Sequence, residues 1–314
     1  MTQNFSDPAV QDRGRALPLH FSQLDVERPQ GGGSLEDFLS RNLCLPVIQA
    51  RDLVDFGSVQ VDGKQERNPK RRLRHGQRIH VHWPRGGTSR HYELDPSRVV
   101  HRDAVLLAYN KERGIPSQQT PYDGYNNVFA AVQRHVRGKE GGSVPYVALH
   151  HRLDQETSGI MVFVLDKAAN RALGKAFENQ KIVKQYLAWI AGEPQSHQWT
   201  SRQDIGRFKG RYCTVPRGKG KWAETDFQVL HRSEEKTLVL ARPKTGRTHQ
   251  IRLHLAAGGW PIWGDTLYGG PAHPRLLLHA WRMTLPHPVL EREVTLTAPL
   301  PHDWPGARST TLPP

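Results

Sequence analysis

The first clear periodicity in the chain begins at Ser34. Leu35, Phe38 and Leu39 fall at i, i+3 and i+4, the stripe of an amphipathic helix, and Ala50, Leu53 and Val54 repeat that spacing after Pro46. Ser58-Val59-Gln60-Val61-Asp62-Gly63 then alternates like a short strand closed by an Asp-Gly turn. Ile79-His80-Val81-His82-Trp83 is a second alternating strand after the Gly76 turn. Two short helices followed by small strands predict a compact module. Residues 1 to about 20 show no such pattern and read as a flexible tail, with Gly31-Gly32-Gly33 as a hinge.

From about Arg102 the texture becomes α+β. Val105-Leu106-Leu107-Ala108-Tyr109 is an apolar strand, and Val128 to Val136 has helical spacing. Ile160 to Leu165 is a continuous apolar run, the pattern of a strand buried on both faces. Asp166 then reads as the N-cap of a helix through Leu173 and Phe177. Ile182 to Ile190 is a strand, and Trp222 to Leu230 with Thr237 to Ala241 forms a hairpin around Ser233-Glu234-Glu235-Lys236. Ile251 and Leu255 mark a short helix before Gly258-Gly259, and strands at Leu276 to Met283 and Val294 to Thr297 close the domain. The expected division is a tail over 1–33, a module over 34–85, a linker over 86–102, the α+β domain over 103–300 and a second tail over 301–314. No internal repeat is visible.

A length of 314 residues suits two domains, and a hydrophobic fraction of 37% is enough for sizeable cores. No apolar run reaches the 18 residues of a membrane-spanning helix, and the first twenty residues lack the apolar core of a secretory signal. Two cysteines, Cys44 and Cys213, are too few for a disulfide framework or a cysteine-rich zinc site, so a reduced, cytoplasmic protein is expected. Charge changes the picture most. Lys plus Arg is 44 against 30 Asp plus Glu, a formal +14, which points to a polyanionic partner and to nucleic acid first. Eleven basic and four acidic residues lie between Gln60 and Arg102. On a folded module in so basic a chain, that run reads as phosphate-contacting, beside the plainer reading of a solvated face. Six basic residues and no acidic one occupy the glycine-rich stretch Gly206 to Lys221. It reads either as a mobile loop closing over RNA or as a solvated insertion.

Candidate chemistry concentrates in two clusters. His150-His151-Arg152-Leu153-Asp154-Gln155-Glu156-Thr157-Ser158-Gly159 lies directly before the buried strand, where active sites are often built. By residue type, Asp154 is either a turn former, helped by Thr157 and Ser158, or a catalytic carboxylate. A metal reading of His150, His151 and Asp154 is disfavoured, because adjacent histidines diverge on an extended chain. Asp154 and Glu156 could share a strand face, which is not the opposed arrangement a glycosidase needs. No Gly-x-Ser-x-Gly nucleophile elbow exists. The second cluster runs from Lys244 to Leu255. His249, Arg252 and His254 lie within about a turn of one another on the expected helix, either as an ordinary basic surface or with an Arg reaching a buried carboxylate bidentately.

Two resemblances attach to these motifs. From Ser34 to about Trp83 the chain resembles the S-four-like RNA-binding domain, most visibly in GSVQVDGK and GQRIHV. From Asp103 to Pro299 it resembles the RluA-type pseudouridine synthases. HRLDQETSG is followed in order by Lys184-Gln185-Tyr186, Gly220-Lys221-x-Ala223-x-Thr225, GRTHQIRLHLAAGGWPIWGDTLYGG and Leu276-Leu277-Leu278-His279-Ala280. Where that family usually has Lys-Pro-x-Gly, this chain has Lys111-Glu112-Arg113-Gly114.

The resemblance implies an α+β catalytic domain with a mixed, mainly antiparallel sheet flanked by helices around a central cleft. It implies isomerisation of uridine to pseudouridine in ribosomal or transfer RNA, by base flipping, with no cofactor and no metal. Asp154 would be the catalytic aspartate, Arg252 its cationic partner and Tyr186 a catalytic tyrosine that stacks on the target base and handles its C5 proton. His151, Arg152, Thr248 and Leu278 would bind substrate, Leu278 as the apolar wall. A monomer is expected. A non-catalytic RNA-binding or ribosome-assembly factor and a nucleoside or glycoside hydrolase are the competing readings.

Overall fold

The computed structural model describes residues 20–27, 33–84, 87–138 and 146–306. Most of the expected N-terminal tail, most of the glycine hinge and the last eight residues of the expected C-terminal tail lie outside these.

The small domain forms as its apolar pattern predicts. Helix α1 (Leu35–Leu43) is capped by the Ser34 side chain, which accepts from the Asp37 amide, and α2 (Val47–Phe56) follows. Both present their apolar stripes to a sheet ordered β1-β4-β2-β3, from β1 (His20–Asp25), β2 (Val59–Val61), β3 (Lys64–Gln65) and β4 (Arg78–Trp83). Leu35, Phe38, Leu39, Ala50, Leu53, Val54, Val59, Val61, Ile79 and Val81 close the core. Each large side chain so buried contributes about 1.5–3 kcal/mol. One expectation fails here: His20–Asp25 lies in the stretch read as tail, yet it pairs antiparallel with β4 along its whole length. Its weak apolar alternation gave no sign, because the pairing is made by backbone groups. Glu36, directly after Leu35, is fully buried and ion-pairs with Arg51 on α2 and with Lys70. Together with the Arg71–Glu66 and Arg78–Asp25 pairs, this commits several of the module's cations internally.

The large domain is built on one extended sheet. Its strands are β5 (Val99–Arg102), β6 (Leu106–Lys111), β7 (Ala148–Leu149), β8 (Ser158–Val164), β9 (Val183–Ala191), β10 (Gln198–Phe208), β11 (Arg211–Val215), β12 (Lys221–Arg232), β13 (Lys236–Pro243), β14 (Leu278–Pro286) and β15 (Glu293–Thr297). The order is β11-β10-β12-β13-β9-β14-β8-β6-β5, with β15 on β14 and β7 on β8. Every pairing is antiparallel except β14 with β8. Helices α3 (Val128–Arg137) and α4 (Lys167–Glu178, capped by Asp166) belong with the β6/β8 half and its core. Helix α5 (Gln250–Ala257) packs with β9, β12 and β13 in a second core.

Three boundaries differ from the sequence reading. The stretch 86–102 is no free linker, since β5 pairs with β6 and Tyr92 and Leu94 lie buried in the first core. Residues 301–306 are no tail either: Trp304 is buried and Asp303 ion-pairs with Arg275 at 2.6 Å. Gly206 to Lys221 is a hairpin continuing the sheet through β10 and β11, because ladder hydrogen bonds override its glycine-rich, charged composition.

Candidate active site

The single parallel pairing marks the seam of the domain. His279 and Ala280 of β14 run beside Ser158 and Gly159 of β8. Gly159 has φ +120°, and a Cβ there would lie 2.2 Å from the Ala280 carbonyl oxygen, so only glycine allows this approach. The loop carrying Asp154 therefore ends against the strand that begins with Leu278.

That loop is held from below. The Ser117 hydroxyl donates to the Leu153 carbonyl at 2.6 Å and accepts from the Leu153 amide at 2.9 Å. Lys111 is fully buried and its ammonium donates to the carbonyls of Glu112, Ile115 and Gln155 at 2.7–2.9 Å. Burial pushes its pKa down to about 7, although the carboxylates of Glu112, Glu156 and Asp154 oppose the shift. Glu112, standing where the resembling family has proline, accepts from the hydroxyls of Tyr92 and Tyr109 at 3.0 and 2.9 Å and ion-pairs with Arg98. Side-chain bonds thus fix this loop where a pyrrolidine ring would otherwise stiffen it.

The turn at Asp154 closes through its backbone carbonyl, which accepts from the Thr157 amide. Its carboxylate, about a quarter exposed, lies 3.6 Å from Arg252 Nη1 and 3.9 Å from His249 Nε2. Arg252 is anchored from behind: Nε and Nη2 donate to the two carboxylate oxygens of Asp265, each at 2.7 Å. Asp265 is fully buried and also accepts from the amides of Leu267 and Tyr268. The guanidinium thus bridges two carboxylates, one structural and one facing the cleft. Beside it, His249 Nδ1 pairs with the Tyr268 hydroxyl at 2.7 Å, and that hydroxyl also donates to the Tyr212 carbonyl on β11. Helix α5 is seated by β12, because Gln250 donates to Thr225 Oγ1 and His254 Nδ1 pairs with the same hydroxyl.

These groups line a cleft of about 570 Å³ together with Arg152, Lys184, Tyr186, Thr248 and Leu278. A cleft of this size takes a small-molecule-sized group rather than a whole macromolecule. Arg152 donates to Thr248 Oγ1 at 2.8 Å, joining the two sequence clusters across the cleft. Leu278 is buried in the wall. The Tyr186 hydroxyl is pushed well above the ordinary range by burial and by the nearby Asp154 charge, so it stays protonated at neutral pH. His151 also lines the cleft, with its ring held from behind. Its Nε2 accepts from the Val162 amide at 2.9 Å and its ring stacks on Phe177, so it braces the loop against β8. Burial lowers its pKa to about 3 and keeps it neutral. His150 pairs with Asn170 instead, so the two histidines do not converge with Asp154 on a metal. Glu156 is exposed and outside the cleft lining, so it does not stand opposite Asp154 as the second carboxylate of a glycosidase would.

Sequence reasoning missed Asp265, Tyr268 and Lys111 as site residues. Gly264-Asp265 sits in an irregular segment with no periodicity, and the strand pattern around Lys111 does not show that its ammonium is buried. Two signals point toward Asp265: the Arg-to-buried-carboxylate reading of the second cluster, and its place, with Tyr268, inside the GRTHQIRLHLAAGGWPIWGDTLYGG motif.

Residues 105–257 match the family described as RNA pseudouridylate synthase. The dual-specificity RNA pseudouridine synthase RluA of Escherichia coli O6:H1 is 33% identical over 212 residues, covering 64% of this chain and 92% of that protein. The RluA of Haemophilus influenzae is 35% identical over 218 residues, with 64% and 91% covered. Among solved structures, human RNA pseudouridylate synthase domain containing 4 superposes with a TM-score of 0.57 at 26% identity, over 67% of this chain and 91% of that one. Domain containing 1 of the same series gives 0.53 at 27% identity, over 67% and 87%.

Proposed function

The chain belongs to the RluA-type family of RNA pseudouridine synthases, and from that premise we propose that Asp154 is the carboxylate that drives the isomerisation. The reaction breaks the bond between N1 of uracil and C1′ of ribose, turns the base and joins C5 to C1′; the C5 proton passes to solvent and N1 takes one up, so the product is an isomer. Nothing is oxidised or reduced. An ionised carboxylate is required whether Asp154 attacks C1′, attacks C6 of the base or removes a proton from the sugar. The observation that carries the assignment is the Asp265–Arg252–Asp154 bridge, which fixes a guanidinium against one cleft-facing carboxylate. Arg252 places a positive charge beside Asp154 and is itself kept from rotating away, because its remaining donors are held by Asp265.

Leu278 supplies the apolar wall against which a flipped pyrimidine packs. Tyr186 stacks on the base and offers a protonated hydroxyl, which supports a positioning role over removal of the C5 proton. Arg152 and Thr248 hold the flanking backbone at the mouth. The small domain, similar in sequence to S-four-like modules, holds structured RNA through cations that its own carboxylates leave uncommitted. Lys64, Arg72 and Arg74 have no ion pair among the described residues. Ribosomal RNA is the proposed substrate and transfer RNA the alternative, both within what the relatives' dual-specificity naming allows.

Asp154→Asn is the direct test. Tritium release from RNA labelled at C5 of uridine is expected to vanish, while RNA retention in a gel-shift assay persists. Pseudouridine formation by this variant would overturn the assignment. Free uracil from the unaltered protein would mark it a hydrolase, and binding without either product would mark it a non-catalytic factor.

A further inference from the structure

The two domains share a joint whose residues serve no part of the chemistry above. The Ser58 side chain, fully buried, donates to the Tyr122 carbonyl at 2.7 Å, and the Gly124 amide donates to the Phe56 carbonyl at 2.9 Å. Arg67 completes the joint: Nη2 donates to the Gly124 carbonyl at 2.7 Å and Nη1 to the Asp55 carbonyl at 3.2 Å. The Arg90 guanidinium lies 5.8 Å from both the Phe56 and the Tyr125 ring centres, one from each domain, and ion-pairs with Asp52 at 2.8 Å. Gly124 admits this packing because a Cβ there would fall 2.0 Å from Arg67 Nη2.

The far side of this joint is one short segment, and its other end holds the catalytic loop. Thr120, Asp123 and Asn126 knit it through Asp123, which accepts from the amides of Tyr125 and Asn126. Ser117 at its beginning carries both hydrogen bonds to Leu153, the neighbour of Asp154. Asn127 at its end caps α3. Residues 116–127 therefore form a strut with the small domain on one end and the catalytic loop on the other.

We infer that Arg67 and Gly124 are specificity-determining positions. They dock the small domain so that its basic face stands at one fixed span from Asp154, and the preferred substrate is a folded RNA long enough to engage both. This rests on the RNA-modifying reading of the cleft. A docked second surface raises the effective concentration of RNA at the first, and a loosely tethered one does so less. Arg67 acts through placement of the domain and is a positioning residue, so its loss reads out in KM rather than in kcat.

The two cysteines lie one on each domain, Cys44 exposed and Cys213 half-exposed, so nitroxide labels on both report the span by double electron–electron resonance. The unaltered protein is expected to give one narrow distance peak. Arg67→Ala and Gly124→Ala, made on opposite domains, are each expected to broaden it while the melting temperature of the catalytic domain holds. Broadening from both sides excludes local unfolding of either domain as the cause. With C5-tritiated RNA from cells lacking the protein, both variants are expected to raise KM about tenfold or more and leave kcat within about twofold. A broad distribution in the unaltered protein, or an unchanged peak in both variants, overturns the docking. A broadened peak with unchanged KM overturns the role in specificity. If the unaltered protein releases no tritium, the functional reading fails and the specificity claim falls with it, while the distance measurement still decides the docking.

Discussion

Replacing Asp265 by Asn removes one charge from the bridge and keeps its shape. In the native site both carboxylate oxygens of Asp265 accept from Arg252 at 2.7 Å, and the pair is buried. The amide offers one acceptor and turns an NH2 group toward an N–H of the fork, leaving a buried guanidinium half-satisfied. Removing one partner of a buried pair costs about 3–5 kcal/mol. At roughly 2–4 °C per kcal/mol for a domain of this size, the melting temperature should fall by about 6–20 °C. Turnover should fall as well, since Arg252 is then free to rotate away from Asp154; a hundredfold loss corresponds to about 2.7 kcal/mol of transition-state stabilisation. The informative comparison adds Arg252→Met. Removing both charges relieves the orphaned guanidinium, so the double variant should melt above Asp265→Asn alone while tritium release stays lost. Calorimetry and single-turnover tritium release on the four proteins of the cycle would measure this. Additive melting shifts, or full activity in Asp265→Asn, would refute the bridge as the element that fixes Arg252.

Two further outcomes follow from burial and charge. Burial lowers the pKa of His254 to about 4 and of His279 to about 3, from an ordinary 6.5. The unfolded chain binds these protons near pH 6.5 and the folded one refuses them, so their stabilisation is complete above 6.5 and is lost as pH falls toward 4. Each should cost about 2 kcal/mol by pH 5, and melting curves of His254→Gln should lose part of the slope between pH 7 and 5; an identical slope would contradict the burial. RNA affinity should drop steeply between about 50 and 200 mM salt, and Arg72→Ala with Arg74→Ala should lower the logarithmic slope by about two. A slope unchanged by these substitutions would remove the module's open cations from the RNA contact.

The sequence made legible those elements whose own side chains dictate them. Leu35, Phe38 and Leu39 announce α1 by spacing, and Asp166 announces α4 by its cap. The run at Ile160 announces the central strand because both its faces are covered. Elements held by a neighbour's backbone escaped: β1, β5 and the β10–β11 hairpin carry polar or glycine-rich sequences and exist through ladder bonds to β4, β6 and each other. The same division runs through the site. Asp154, Arg252, Tyr186 and Leu278 line one cleft as their motifs implied. His151 lines it too, but its bond to the backbone of β8 could not be foreseen, and the anchor at Asp265 has meaning only once α5 brings Arg252 over it. Burial of a charged group is a property of the assembled neighbourhood, and no local pattern encodes it.

The seam between β8 and β14 ties residues more than a hundred positions apart in the chain. The pairing cannot form until both strands exist, and contacts of such sequence separation slow folding. During synthesis, Asp154 leaves the ribosome well before the strand beginning at Leu278 exists to meet it. A truncated product ending anywhere ahead of that strand would carry Asp154 with one side of its cleft missing. On the proposed assignment, competence therefore arrives only once β14 has been made and laid against β8, and a nascent polypeptide short of that point has no closed chamber in which to act on RNA.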